Sequence, residues 1–212
     1  RISVPDFGIV SNPTILYSEI KRRRFNVIDR AQQKARQEIS AIEDANIFNA
    51  LDFAGDTAKG GENTVQTLNN STVTSELAKV GLLRLKKQVD RWDNYTAKFF
   101  MNINEYTDIL NWESAGAAGS SQIDPVSQRE LMQTGLMGSL WTADVIVTKI
   151  VPPKQVFACA EAEFVGVMPI VQDVEVVPAD EPKQRKIGFV VSEQIGIAVV
   201  NPRGVATGFV ED

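Results

Sequence analysis

Apolar residues recur at three- and four-residue steps through Phe25, Ile28, Ala31, Ala35, Ile39 and Ile42, and again at Ile47, Phe48 and Leu51. That period marks one face of an α-helix. Ser18 is a ready N-cap, and no Pro or Gly interrupts the run before Gly55. The pattern therefore predicts a helix from about 19 to 52, roughly 50 Å long at ~1.5 Å per residue. This is about three times the mean globular helix. A helix of that length must lie across the body of the protein or against neighbours.

The segments around it follow other rules. Residues 1 to 16 carry Pro5, Gly8 and Pro13 among apolar residues and read as an extended arm or edge strand. Residues 55 to 72, GDTAKGGENTVQTLNNST, read as a polar linker and a domain boundary. Val73, Leu77, Val80, Leu83 (or Leu82), Leu85, Val89 and Trp92 predict a second helix from about 73 to 91, with Gly81 an oddity inside it. TAKFFM (96 to 101) predicts a buried strand and INEYTDILNW a short helix. SAGAAGSSQIDP (114 to 125) reads as a loop of small residues, and VSQRELMQT as a helix capped by Gly135. VIVTKIV (145 to 151) and VFACA (156 to 160) predict strands joined through Pro152 to Gln155. EFVGVMPIVQDVEVVPADEP reads as a strand pair broken by Pro and acids. In KIGFVVSEQIGIAVVNPRGVATGFV, two β-branched runs flank the turn Asn201-Pro202-Arg203-Gly204.

Composition narrows the function classes. The chain has 212 residues, enough for one large domain or two small ones. A net charge of −5 argues against a general nucleic-acid binder. The sole cysteine, Cys159, has no partner for a disulfide and sits in an apolar stretch, which suits a small buried hydrophobe. There is no histidine, which removes His-based triads and most zinc sites. No apolar run reaches the roughly 18 residues of a membrane span, and no signal-peptide pattern is present. No phosphate-loop or dinucleotide motif occurs, so no cofactor, metal or catalytic residue is expected. The opening RISVPDFGIV, without Met, reads as mid-sequence, with a segment upstream.

The order of these pieces resembles the major capsid protein of tailed phages, with the fold named after phage Hong Kong ninety-seven. The long helix with Glu43-Asp44, Phe48 and Leu51 resembles that family's spine helix. Strand KFFMN followed by INEYTDIL, with Met101-Asn102 and Tyr106, resembles the start of its axial domain. GLMGSLWTADVIVTKIVPP resembles the Gly-rich approach to the next strand, and SEQIGIAVVNPRGV the closing strand pair of the peripheral domain. The resemblance implies an α+β fold with a long spine helix, a peripheral-domain sheet (1–58 and 163–212) and an α/β axial domain (59–162). It implies a structural, non-enzymatic subunit forming pentamers and hexamers of an icosahedral virion shell around double-stranded DNA, assembled in a bacterial host's cytoplasm. Scaffold, portal and decoration proteins are implied partners, and a membrane is not. The family's N-terminal arm and most of its extended loop are missing from this sequence. Some members crosslink a lysine to a neighbour's asparagine. That lysine would fall in the missing loop, so no residue here carries the crosslink. An encapsulin-type bacterial compartment shares the fold and is the alternative. A carboxylate-dependent enzyme is the remote one.

Candidate contact residues follow. Lys21, Arg22, Arg23, Arg24, Arg30, Lys34 and Arg36 crowd the start of the long helix. They would face packaged DNA by counterion release, or form a solvated or inter-subunit salt-bridging face, the second being favoured. Glu193, set among Val190, Val191 and Ile195, is expected to face outward or meet a cation, as an inter-subunit ion-pair residue. Glu161 with Glu163, and Asp180-Glu181, read as solvated acids. The small residues of 114 to 125, Gly116 and Gly119 above all, are expected to let copies converge at a capsomer axis. Trp92, Trp112 and Trp141 read as core or interface anchors.

Overall fold

A computed structural model describes residues 3–22, 26–70, 73–112 and 138–211. In chain order the elements begin with β1 (Asp6–Ser11), β2 (Thr14–Leu16), α1 (Tyr17–Arg22) and α2 (Val27–Gly55). Next come β3 (Thr64–Val65), β4 (Asn69–Asn70), β5 (Val73–Leu77), α3 (Lys79–Asp90), β6 (Thr96–Met101) and α4 (Ile103–Asn111). Then follow β7 (Ser139–Leu140), β8 (Ala143–Val147), β9 (Gln155–Ala160), α5 (Ala162–Val165), β10 (Gly166–Val167) and β11 (Ile170–Pro178). The chain closes with β12 (Lys186–Gly196), β13 (Ala198–Val199) and β14 (Val205–Phe209). The predicted helix of 126–134 and the loop of 114–125 lie outside the described residues.

The chain forms two compact units, Arg1–Ile47 with Met168–Ala198, and Phe48–Val167 with Val199–Asp212. In the first, β1 and β11 flank β12, and β2 also pairs with β12, all antiparallel. Residues 6–11 and 14–16 are thus edge strands, as the Pro and Gly pattern suggested, with Pro13 at the break between them. Ile9, Val191 and Ile195 of this sheet pack with Ala35 and Ile39 of α2, and Val176 and Ile197 lie against the cluster.

In the second unit the sheet order is β3-β14-β9-β6-β8-β7. β9 lies between two antiparallel partners, and all six of its residues are buried. That is why VFACA reads as a continuous apolar run without alternation. Phe99, Met101, Phe157, Leu82, Leu85, Val89 and Ile109 are fully or almost fully buried. Phe48 of α2 meets Phe100 edge-on at 5.3 Å and Phe157 at 5.9 Å.

Several expectations shift. The long helix starts at Val27, because Asn26 Oδ1 accepts from the amides of Ile28 and Asp29 and so caps it. Ile42, placed on its inner face from sequence, is 45% exposed. Residues 73–77 form a strand, since Val73 and Leu77 fit a two-residue period as well as a helical one, and α3 begins only at Lys79. Residues 148–151 turn out of β8 rather than continuing it. The predicted linker 55–72 contains strands that pair with β14 and β5. β12 and β14 do not form a hairpin: β12 belongs to the first sheet and β14 to the second. Asn201–Gly204 therefore leads towards β14 rather than turning a hairpin, and residues 199–212 belong to the second unit. The cause is the register of β14, whose Val205–Phe209 pair with Cys159–Gln155.

Gly81 has a plain physical role. A Cβ there would come 2.0 Å from the carbonyl oxygen of Leu68, whose side chain is wholly buried beside Gly208. Gly81→Ala is therefore expected to lose on the order of 1–3 kcal/mol despite alanine's better helix propensity, measured by urea unfolding. An unchanged or raised midpoint would show that the helix does not approach Leu68 so closely. Likewise Ile39→Asp places an unpartnered charge in the α2 seam and should cost more than about 3 kcal/mol, whereas exposed Gln33→Asp should change the midpoint little. Equal tolerance of both would put the helical phase wrong.

Candidate functional site

The basic residues of the helix start do not form one cluster. Arg22 is exposed at the end of α1, and Arg23 and Arg24 lie outside the described residues. Arg30 and Lys34 are four residues apart on α2, hence on one stripe. Arg36, six residues from Arg30, falls on another. All three are exposed. Lys34 Nζ lies 3.8 Å from Glu38, an exposed pair of little energetic weight. Glu38 also accepts from Ser11 Oγ at 3.2 Å, beside a shallow cavity of about 460 Å³ that Lys34 lines.

Glu193 departs from expectation. It is 5% exposed and faces inward, because it stands two residues from both Val191 and Ile195 and so shares their side of the pleat. Its Oε2 is buried with no hydrogen-bond partner. Glu43 of α2 feels it: the Glu43 carboxyl is pushed above its usual range by burial first, then by Glu193, then by Asp44. The seam between helix and sheet thus holds facing carboxylates where a cation was expected. Gly116 and Gly119, with the rest of the 114–125 loop, lie outside the described residues.

The other acids singled out from sequence are solvated. Glu161, Glu163, Asp180 and Glu181 are all exposed. Among the described residues no group of three potential metal ligands converges, and no helix is long and apolar enough to cross a membrane. Cys159 is buried in β9, and burial raises its thiol to about 12, so it stays protonated and inert at neutral pH. Trp112 is buried, its Nε1 donating to the Leu77 carbonyl at 2.7 Å. Trp141 is half-buried.

A second basic surface was missed from sequence. Arg84, Lys87 and Arg91 occupy positions i, i+3 and i+7 of α3 and its end, a spacing that signals one stripe. They line a groove of about 480 Å³ opposite residues 64–67. Buried Asn63 fixes its end: Oδ1 accepts from Arg91 Nη2 at 3.0 Å and Trp92 Nε1 at 3.2 Å. The Asn63 amide donates to the carbonyls of Pro202, Arg203 and Val205. The guanidinium groups of Arg91 and Arg203 lie 4.9 and 4.2 Å from the centre of the Trp92 ring.

Comparison with family models and with curated protein sequences gives no match. Solved structures do match. A chain from a structure of Mycobacterium phage Che8 aligns at TM-score 0.73 and 12% identity, over 95% of this chain and 70% of its own. The capsid of a native GTA particle aligns at TM-score 0.71 and 13% identity, over 100% and 74%. A virus-like particle from Pyrococcus furiosus aligns at 0.64 and 17%, over 96% and 76%. At these identities the likeness carries the fold. The chain has the mixed helix-and-sheet fold of Hong Kong ninety-seven-type phage capsid subunits, as the order of its motifs implied.

The carboxylate seam gives a prediction with a definite sign. A folded-state carboxyl pushed up, like that of Glu43, stabilises most below the ordinary carboxylate range and loses that contribution as pH rises through the raised value. Glu193→Gln removes the facing charge and should stabilise the protein at pH 7 by on the order of 1 kcal/mol. That advantage should fade on acidification towards about pH 4, followed by thermal melts across pH. A variant less stable than the parent at pH 7 would mean that Glu193 has a cation partner.

Proposed function

We propose that this chain is the structural subunit of an icosahedral shell, a bacteriophage major capsid protein. It self-assembles into pentamers and hexamers and encloses double-stranded DNA. The observation that carries this reading is the fold itself, shared over 95–100% of the chain with structures from phage and GTA capsids. A shell is built from repeated contacts, so its subunit works through surface, not through a pocket. Exposed apolar residues fit it as well: Val10, Leu16, Phe164, Ile170, Val171, Val174 and Val177 all stand in solvent on the single chain.

In this reading the unit built on β1, β2, β11 and β12 is the peripheral domain, and the unit built on the six-stranded sheet is the axial domain. The boundaries expected from sequence, after 58 and before 163, stand beside breaks of the two units at Ile47/Phe48, Val167/Met168 and Ala198/Val199. Arg22, Arg30, Lys34 and Arg36 serve as solvated or neighbour-facing charges with DNA nearby. Scaffold, portal and decoration proteins are the remaining partners, and the product is the virion shell, assembled in the bacterial host cytoplasm.

The test is sedimentation of the full-length protein expressed with its whole reading frame, combined with nuclease treatment. The expected result is capsomers or particles far heavier than a subunit, with nuclease-protected DNA in particles recovered from phage growth. Large particles holding protein cargo and no DNA would favour the encapsulin reading. A clean monomer at high concentration would remove the shell reading altogether.

A further inference from the structure

The groove between β3 and α3 has the chemistry of a docking site for an extended acidic strand. β3 is the edge strand of its sheet, paired only with β14, in parallel. The groove's far wall is the cationic stripe Arg84, Lys87 and Arg91, and no acidic residue lines it. Arg84 and Lys87 are exposed, and among the described residues neither makes an ion pair. The neighbouring Lys86 is instead engaged by Asp90 at 2.8 Å. Arg91 is held in place by Asn63 and the Trp92 ring, so it loses little freedom on binding. Gln88 lines the same groove. An extended strand brings backbone N–H groups along with its carboxylates, which suits a cationic wall beside an open sheet edge.

The chain itself presents such a strand. β11 lies at the edge of the other sheet, and eight of its nine residues are exposed. Its open edge carries unpaired backbone groups, and Ile170, Val171, Val174 and Val177 stand in solvent. Asp173 and Glu175 are exposed and two residues apart, at a bulge where the pairing with β12 shifts between Gln172 and Glu175, and Glu175 accepts from Gln172 Nε2 at 2.6 Å. Neighbouring cations on α3 are three or four residues apart, about 5–6 Å between Cβ atoms. Two carboxylates on a short stretch of edge strand can each meet one of the three cations.

We propose that β11 of a second copy docks along the β3–α3 groove, with Asp173 and Glu175 against the Arg84, Lys87 and Arg91 stripe. This rests on the shell reading and names one of its contacts. The contact is heterologous: groove of one copy, strand of the next. Repeated, it closes a ring or continues a shell.

The experiment is a charge swap with complementation. One variant carries Arg84→Glu and Lys87→Glu, the other Asp173→Lys and Glu175→Lys, each shown folded by circular dichroism. Sedimentation measures the concentration at which each assembles. Each variant alone should need about tenfold or more protein than the parent, and an equimolar mixture should recover most of that loss. Assembly of both variants at the parent's concentration would overturn the contact while leaving the shell reading standing. Weakened binding of the Arg84/Lys87 variant to a DNA duplex, with assembly intact, would overturn it in favour of a phosphate site. A parent chain that stays monomeric would remove the shell reading and this contact together.

Discussion

One helix has to serve two hydrophobic cores. α2 contributes Ala35 and Ile39 to the first cluster, with Ile9, Val191 and Ile195. Further along it contributes Phe48, against Phe100 and Phe157, and the buried Leu51. Ile39 and Phe48 are nine residues apart, which at 3.6 residues per turn is two and a half turns. The buried stripe therefore changes side along the helix. A single amphipathic face drawn through all the apolar residues has to fail somewhere, and it fails at Ile42.

Close backbone approach is the second constraint, and it is concentrated at Leu68. This fully buried side chain lies against Gly208 of β14, and its carbonyl oxygen lies where a Cβ on Gly81 would be. The Leu68 carbonyl also accepts from the Ala78 amide, and the Leu68 amide donates to the Phe209 carbonyl. A segment that looks like a polar linker is thereby fastened to both a helix and a strand. Asn63 does similar work a few residues earlier by joining the end of α3 to the 202–205 segment.

Local pattern carried much of this fold, and non-local pairing carried the rest. TAKFFM, VFACA and INEYTDIL were legible because each is short, buried and bounded by clear punctuation. The order of motifs was enough to imply the capsid-type fold. The strand at 73–77 was not legible, because alternation over five residues is also compatible with one helical face. The destination of Val205–Phe209 could not be read locally, since an apolar run after an Asn-Pro-Arg-Gly turn looks like the return of a hairpin. Glu193 could have been placed by parity with Val191 and Ile195; its charge suggested the opposite side, and the pleat decided. The Arg84, Lys87 and Arg91 stripe was visible in spacing alone, but only the edge position of β3 makes it one wall of a groove.

In the proposed reading this fold is a shell subunit, repeated in every part of a wall. Single-particle imaging of the purified full-length protein after assembly tests it most directly. Closed icosahedral particles are expected, with density for α2 and for the two sheets in every subunit of the wall. Well-dispersed single subunits, or particles whose wall density cannot hold this fold, would contradict the account.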